Sequence, residues 1–170
     1  FNSAGIYAGS PRNGWLKSWA GVMKTAKHGT RIWISEVIND EVIDHVNKGG
    51  ILLFTAGEGM VRPHPPNFGY VKYFFTPPAN YGPYEDGQNG TVIRKRSLLD
   101  GFPCDDYADL QFFRMIENSP PLDLAPLGLD DSDPVIRVIH RYPVCRSLGY
   151  VAERGYGRGT IIFSSLNLDY

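Results

Sequence analysis

The chain has few cysteines, no long apolar run and no excess of either charge. Only Cys104 and Cys145 occur among its 170 residues, and they do not form a CxxC pair. Two separated thiols cannot build a structural zinc site by themselves, and their spacing leaves open whether they form a disulfide. No cofactor motif is present either, so we predict neither a metal nor a cofactor.

Charge and hydropathy argue against two classes of partner. The 17 Lys and Arg residues are balanced by 18 Asp and Glu residues, for a net charge of −1, and they are spread along the chain. This gives no basic stripe for a phosphate backbone, so we expect no nucleic acid. No apolar stretch approaches the roughly 20 residues of a membrane span, so we expect no membrane.

The length and the first residues suggest one domain taken from a longer protein. A chain of 170 residues fits a single domain with a sizeable core, here residues 1–170. It does not begin with Met and shows no charged-then-apolar leader. We therefore expect a mature fragment or an excised domain.

The first third of the chain alternates between strand and helix patterns. Apolar runs, helical stripes and glycine stops predict, in order, a strand at 6–8, a helix at 15–26, a strand at 31–34, a helix at 40–48 and a strand at 51–54. The continuous apolar run at 51–54 predicts that the last strand is buried on both faces. Such alternation predicts an α/β fold with a parallel sheet and helices on its faces.

The rest of the chain contains a segment rich in proline and aromatic residues, followed by further helix and strand patterns. Residues 60–90 hold six prolines and seven aromatics, which predicts a long irregular excursion with a short element at 71–75. A helix at 107–117 follows, with Tyr107, Leu110, Phe113 and Ile116 on one side. Strands at 135–139, 148–153 and 160–164, joined by short turns, predict antiparallel pairing. The sheet should therefore be mixed, parallel at its start and antiparallel toward its end.

Three places could carry chemistry. Glu58, between two glycines after the third strand, is either a ligand-facing carboxylate or part of a tight turn, which we favour. No Cys or Ser occupies the position of a nucleophile there. His64 is the one histidine that we single out, since His45 is expected on the solvent side of its helix. Asp106 and Asp109 could serve acid/base chemistry or calcium, although helix capping is the simpler interpretation.

The aromatic segment at 60–90 is the feature that core packing explains least. Its rings could stack on sugars, anchor an interface or pack the loop onto the sheet. The candidates for ligand or interface contact are Phe68, Tyr70, Tyr81 and Tyr84.

Six segments occur in an order that carries a family resemblance: 49–53 (GGILL), 90–93 (GTVI), 99–103 (LDGFP), 109–112 (DLQF), 134–139 (PVIRVI) and 157–165 (GRGTIIFSS). Together they resemble the C-terminal region of large bacterial family 2 glycoside hydrolases, the β-galactosidase-like enzymes. That region is similar to the class I glutamine amidotransferase-like domain. The resemblance covers nearly all of the chain from about Arg31 onward.

The resemblance implies a three-layer flavodoxin-like domain without amidotransferase activity. Glu58 stands in the turn where the amidotransferase has its cysteine, and Leu110 precedes Gln111 where the family usually has Trp. No catalytic residue is carried over, because the two hydrolase carboxylates would lie outside these residues. A periplasmic or extracellular location is slightly favoured by the resemblance alone.

Three functions follow as hypotheses. The first is a non-catalytic accessory domain of a carbohydrate-active enzyme, acting in docking to other domains of the same polypeptide, in homo-oligomerisation or in glycan binding. The second is a small hydrolase in which Glu58, His64 and Asp106 converge. The third is a ligand-sensing module that uses the crevice at the strand ends.

Overall fold

The computed structural model describes residues 4–7, 29–55, 69–70, 88–94, 98–105, 110–116, 119, 121–129, 134–140 and 145–168. The strands in these ranges are β1 (Ala4–Ile6), β2 (Ile32–Ser35), β3 (Ile51–Thr55), β4 (Gly69–Tyr70), β5 (Gln88–Ile93), β6 (Leu122–Asp123), β7 (Ile136–His140), β8 (Leu148–Tyr156) and β9 (Gly159–Ser164). The helices are α1 (Asp40–Asn47), α2 (Leu110–Ile116) and a 3₁₀ turn (Ala125–Leu127).

The chain divides into two compact units. Unit 1 comprises Phe1–Ala56, Glu153–Ser164 and Leu168–Tyr170. Unit 2 comprises Gly57–Ala152 and Ser165–Asn167. Strand β8 contributes its first five residues to unit 2 and its last four to unit 1. The prediction of one domain over residues 1–170 stays a prediction.

Unit 1 is built on parallel strands in the order β1-β2-β3-β9. Strand β9 lies beside β3, with Leu52 opposite Ile161 and Phe54 opposite Phe163, although about a hundred residues separate them in the chain. The end of β8 turns back into β9 through Gly157 and Arg158, which confirms the predicted turn at 156–159. The parallel part of the sheet therefore extends beyond the first third of the chain.

Helix α1 forms where the sequence predicts it because both of its ends are capped. Asn39 accepts a hydrogen bond from the Val42 amide at 3.0 Å at the first turn. At the other end Gly49 has φ of +100°, and the amides of Gly49 and Gly50 donate to the carbonyls of Val46 and His45. This is the glycine-terminated motif that satisfies the last carbonyls of a helix.

The two faces of the unit 1 sheet follow from strand alternation. Trp33, Leu52 and Ile161 share the face that α1 covers, and α1 buries Val42 and Val46 completely. Ile6 and Ile34 pack on the opposite face with Leu53 and Leu168. Strand β3 is not buried evenly, since Leu52 and Phe54 are fully buried while Ile51 and Leu53 are partly exposed. The expectation of a strand buried on both faces is therefore met on one face only.

Unit 2 is antiparallel throughout its described strands. β4 pairs with β6, β6 with the start of β8, and β7 pairs with both β8 and β5. Its core includes Leu122, Leu124, Leu127, Leu148 and Tyr150, all with no exposed surface. The mixed sheet predicted from the sequence, parallel at its start and antiparallel later, is confirmed.

The structure tests two sequence expectations of this unit in part. The two-residue strand β4 and the first residues of β5 lie within the segment 60–90, and the rest of that segment, including the predicted element at 71–75, lies outside the described residues. Helix α2 buries Phe112 and Ile116, which are four residues apart and share a face, whereas Phe113 is half exposed. The inner position predicted for Ile116 is confirmed, whereas the one predicted for Phe113 is wrong because Phe112 is buried in its place; the side chains of Tyr107 and Leu110 lie outside those described. The predicted helix at 15–26 lies outside the described residues.

Candidate functional site

Three side chains stack in a column between α1 and the unit 1 sheet. The rings of Tyr7 and Trp33 are 5.3 Å apart at 21°, and those of Trp33 and His45 are 4.1 Å apart at 8°. The Tyr7 hydroxyl donates to Glu41 Oε2 at 2.5 Å and accepts from Asn39 Nδ2 at 3.2 Å. The column therefore joins the end of β1, the middle of β2 and one face of α1.

Glycines and the helical repeat make this column possible. Gly5 lies opposite Trp33 in the β1–β2 pairing, so no side chain stands beside the indole at that position. Glu41 and His45 are four residues apart and lie above one another on α1. A side chain at Gly50 would overlap the His45 imidazole, so the strand start can pass that ring only as glycine. His45 Nε2 is 3.1 Å from the Arg31 carbonyl oxygen, which holds the ring in place.

A cleft with a volume of about 310 Å³ opens beside the column. It lies at the amino ends of β2 and β3 and along the face of α1 that carries His45. The cleft is lined by Gly29, Thr30, Arg31, Trp33, Glu41, Asp44, His45, Lys48, Gly49 and Gly50. All of these residues belong to unit 1.

The charges around the cleft balance. Arg31 and Lys48 are cationic, and Glu41 and Asp44 are anionic. Lys48 Nζ lies 2.5 Å from Asp44 Oδ2 across one turn of α1, an exposed pair of the kind worth only about 0.3–0.5 kcal/mol. The cleft therefore offers hydrogen-bond donors and acceptors without a strong net field.

Burial and hydrogen bonding shift two pKa values in the column. Burial lowers the pKa of His45, while hydrogen bonds to the backbone of Arg31 and Ile51 and the charge of Asp44 act in the opposite direction. The hydrogen bond to Glu41 raises the pKa of Tyr7. Near neutral pH the column thus holds a neutral imidazole and a neutral phenol.

The carboxyl ends of the unit 1 strands carry a second group of polar side chains. Ser35 ends β2 with its hydroxyl between the Val37 amide and carbonyl, at 2.9 and 2.7 Å, and Glu36 beside it is buried. Thr55 ends β3 and is 5% exposed, with no hydrogen-bond partner for Oγ1 in the part of the chain that is described. Ligands of open α/β sheets bind beyond these strand ends, so this edge is a second polar feature of unit 1.

Unit 2 presents apolar side chains to solvent. Phe102 is 44% exposed and its ring packs 5.9 Å from that of Phe112, whose chain neighbour Phe113 is 50% exposed. Leu98, at the start of the turn that leads to Phe102, is also exposed. We call Leu98, Phe102 and Phe113 the phenylalanine patch. A contiguous exposed apolar surface marks an interaction site, and the proposal below takes these three side chains to form one.

Possible metal ligands and both cysteines can be placed within the described ranges. No three His, Cys, Asp or Glu side chains there are grouped as metal ligands would be. Cys104 is buried, Cys145 is exposed, and both are free thiols. Within the same ranges no helix has the length and apolar character that crossing a membrane requires.

Most residues predicted from the sequence lie outside the described residues: Glu58, His64, Phe68, Tyr81, Tyr84, Asp106 and Asp109. Tyr70 lies in β4 and Gln111 in α2, where only the backbone is described. Whether Glu58, His64 and Asp106 converge therefore stays a prediction.

The sequence analysis did not predict the column, and it placed the His45 side chain incorrectly. His45 was expected to face solvent, but it stacks on Trp33. The available signal was the spacing of Glu41, His45 and Lys48, which places all three on one side of a helix. Gly50, directly before an apolar strand, was the second signal, because it leaves room for a ring.

Two comparisons with known proteins bear on the chain. The family model described as Domain of unknown function (DUF8487) matches residues 33–170. No curated protein matches the chain. The matched range includes Trp33, His45 and the phenylalanine patch, and it leaves out Tyr7 and Arg31.

Proposed function

The chain belongs to the DUF8487 family, and we propose that it is a non-catalytic accessory domain of a carbohydrate-active polypeptide, docking onto another domain of that polypeptide through unit 2. The carbohydrate context comes from the sequence resemblance to family 2 glycoside hydrolases. We also propose the three-layer flavodoxin-like architecture for the fold. The parallel strands of unit 1 with α1 on one face supply two of those layers.

The observation that carries the docking proposal is the phenylalanine patch. Phe102 and Phe113 keep about half of their surface in water, although burial of a phenylalanine side chain is worth about 1.5–3 kcal/mol. Cores of protein interfaces are enriched in aromatic side chains and depleted in charge. A docking surface explains why two phenylalanines around the buried Phe112 remain outside.

Hydroxyl-radical footprinting tests this proposal. The 170-residue chain and the longer polypeptide that contains it are oxidised in parallel. Mass spectrometry then measures the oxidation of Leu98, Phe102 and Phe113. We expect strong protection of all three in the full polypeptide only. Phe54 and Phe163, which have no exposed surface, serve as internal controls that stay unreactive in both samples.

Two outcomes would overturn the docking proposal. Equal oxidation of the patch in both samples would show that no neighbouring domain covers it. Protection that rises with the concentration of the isolated chain would show instead that a second copy of the chain binds there. A reading frame without a sugar-hydrolysing domain would remove the carbohydrate context.

A further inference from the structure

Strand β5 forms an edge of the antiparallel sheet in unit 2. It pairs with β7 on one side, and no other described strand pairs with it. Strand β4, at the opposite end of the strand order, is only two residues long, whereas β5 spans six. A long sheet edge is a template for another extended chain, so β5 is the place where unit 2 can accept one.

The backbone of β5 is regular over most of its length. Natural sheets protect their edges with prolines, charged side chains or bulges. In β5 the bulge is confined to Asn89, and the segment from Gly90 to Ile93 contains neither proline nor a charged residue. The Arg94 amide donates to the Val135 carbonyl at 2.8 Å, so the alternation of an antiparallel ladder turns the amide and carbonyl of Ile93 away from β7. An added strand would bond to these two groups.

A gap beside Gly90 determines which apolar side chain fits this edge. Gly90 lies opposite Ile139 of β7, and Ile139 is 45% exposed. Its neighbour on β7, Val138, points to the other face of the sheet and is buried. Because glycine has no side chain, an aromatic ring on an added strand opposite Gly90 would extend across it and cover Ile139. Aromatic neighbours fill edge glycines in the same way in designed sheets.

The charge at the end of β5 favours an acidic partner. Arg94 is exposed, and Lys95 and Arg96 follow it in the sequence. Carboxylates opposite these three positions would form favourable cross-strand pairs. A second copy of β5 contains no carboxylate, which argues against pairing of the strand with itself.

We propose that the β5 edge binds an extended acidic segment of a partner protein, added to the sheet as an antiparallel strand. In this pairing an acidic residue of the partner lies opposite Arg94, and an aromatic residue four positions later lies opposite Gly90 and covers Ile139. The antiparallel direction matches the other described strand pairs of unit 2 and is the more stable one per residue. The inference goes beyond docking by the phenylalanine patch and does not depend on it.

A synthetic peptide tests the charge requirement. The peptide EEEVTVWT places its three glutamates opposite residues 94–96 and its tryptophan opposite Gly90. It is labelled with fluorescein and titrated with the 170-residue chain, and fluorescence anisotropy measures binding. We expect saturable binding below about 1 mM, and an affinity at least about tenfold lower when lysines replace the three glutamates.

Methylation of single peptide amides tests the strand pairing. The first valine of the peptide lies opposite Ile93, and its amide points to β5, whereas the amide of the following threonine points away. A methyl group on the valine nitrogen should therefore weaken binding at least about tenfold. The same change on the threonine nitrogen is the matched control and should change the affinity by less than about twofold.

Variants of the chain locate the binding site. Arg94→Glu should weaken binding of EEEVTVWT at least about tenfold, because it places a carboxylate opposite a glutamate. Arg114→Glu changes the net charge equally at an exposed residue of α2 and should leave the affinity within about twofold. Thermal unfolding of both variants shows whether the fold persists.

Three results would overturn the inference. The first is an absence of saturable binding of EEEVTVWT to the 170-residue chain. The second is an equal effect of methylation at the valine and threonine nitrogens, which would show that the peptide does not pair with β5 as a strand. The third is an equal loss of affinity in Arg94→Glu and Arg114→Glu. Each is distinct from failure of the docking proposal, which the footprint of the phenylalanine patch reports.

Discussion

Unit 1 and unit 2 differ in how they use their phenylalanines. In unit 1, Phe54 and Phe163 on neighbouring parallel strands meet edge to face at 6.2 Å and are fully buried. In unit 2, Phe112 is buried but Phe102 and Phe113 remain about half exposed. Among the described residues, phenylalanine is fully buried in unit 1, whereas in unit 2 it occurs both in the core and at the surface.

The difference shows where each unit can interact. Parallel strands beneath a helix bury their apolar side chains, so unit 1 is left with polar groups at its strand ends and beside α1. The antiparallel unit carries apolar side chains outward on α2 and in the turn before it, which suits a protein surface. Substitutions in the two units should therefore differ in their effect on stability.

Truncation of a phenylalanine should be costly in unit 1 and nearly neutral on the patch. Phe54→Ala removes a fully buried ring and should lower the free energy of unfolding by about 3–5 kcal/mol. Phe113→Ala should change it by less than about 0.5 kcal/mol. Denaturant titration of both variants measures the difference, and similar losses would contradict the contrast between the two units.

A methyl group at Gly50 should disturb the column next to the cleft. Gly50→Ala places its Cβ on the His45 imidazole and should cost about 1–3 kcal/mol of unfolding free energy. The same titration applied to the double variant with His45→Ala should recover part of this loss, since the ring that clashes is gone. Gly155→Ala is the matched control, because its Cβ would meet open space. Equal costs at both glycines would refute the close approach of Gly50 to His45.

Loss of the Tyr7 hydroxyl should have a moderate effect. Tyr7→Phe removes the hydrogen bond to Glu41 and should cost about 1 kcal/mol. Tyr156→Phe, on β8 in the same unit, serves as the comparison. Chemical unfolding at neutral pH measures both. If Tyr7→Phe left the free energy of unfolding unchanged, water would be as good a hydrogen-bond partner for the Glu41 carboxylate as the Tyr7 hydroxyl is.

The smallest effect is the pH dependence from His45. Because burial lowers its pKa in the folded chain, the unfolded chain binds the proton first as the pH falls. The stabilisation from the neutral ring is present above the unfolded pKa of about 6.5 and is lost as the pH falls below it. The stability difference between the wild type and His45→Gln should therefore shrink on acidification. A difference that grows would mean that Asp44 outweighs burial.

The sequence predicted α1 and β3 of unit 1 because their signals are local, whereas it placed the first strand at 6–8 and the structure has it at Ala4–Ile6. Asp40 and Gly49 mark the two ends of the helical pattern that became α1, and the apolar run at 51–54 lies within β3. The place of β9 beside β3 depends on a contact across about a hundred residues, which no local pattern encodes. The parallel core was therefore predicted only at its start.

The candidate site was harder to predict because it depends on register. Trp33 faces Gly5 and His45 only once β1, β2 and α1 are aligned, and nothing within any one segment reveals that alignment. The sequence analysis chose Phe113 instead of Phe112 as an inner residue of α2 because the two are adjacent and equally apolar. Glu58 and His64 stay predictions of the sequence.

One measurement tests the contrast between the two units most directly. Hydroxyl-radical footprinting compares the full polypeptide with its double variant Phe102→Ser/Phe113→Ser, and it measures the oxidation of Leu98 in unit 2 and of Phe54 in unit 1. We expect Leu98 to be protected in the wild type and to lose that protection in the double variant, while Phe54, which has no exposed surface, stays unreactive in both. Protection of Leu98 that persists in the double variant would contradict the role of the phenylalanine patch, and oxidation of Phe54 would contradict its place in the core of unit 1.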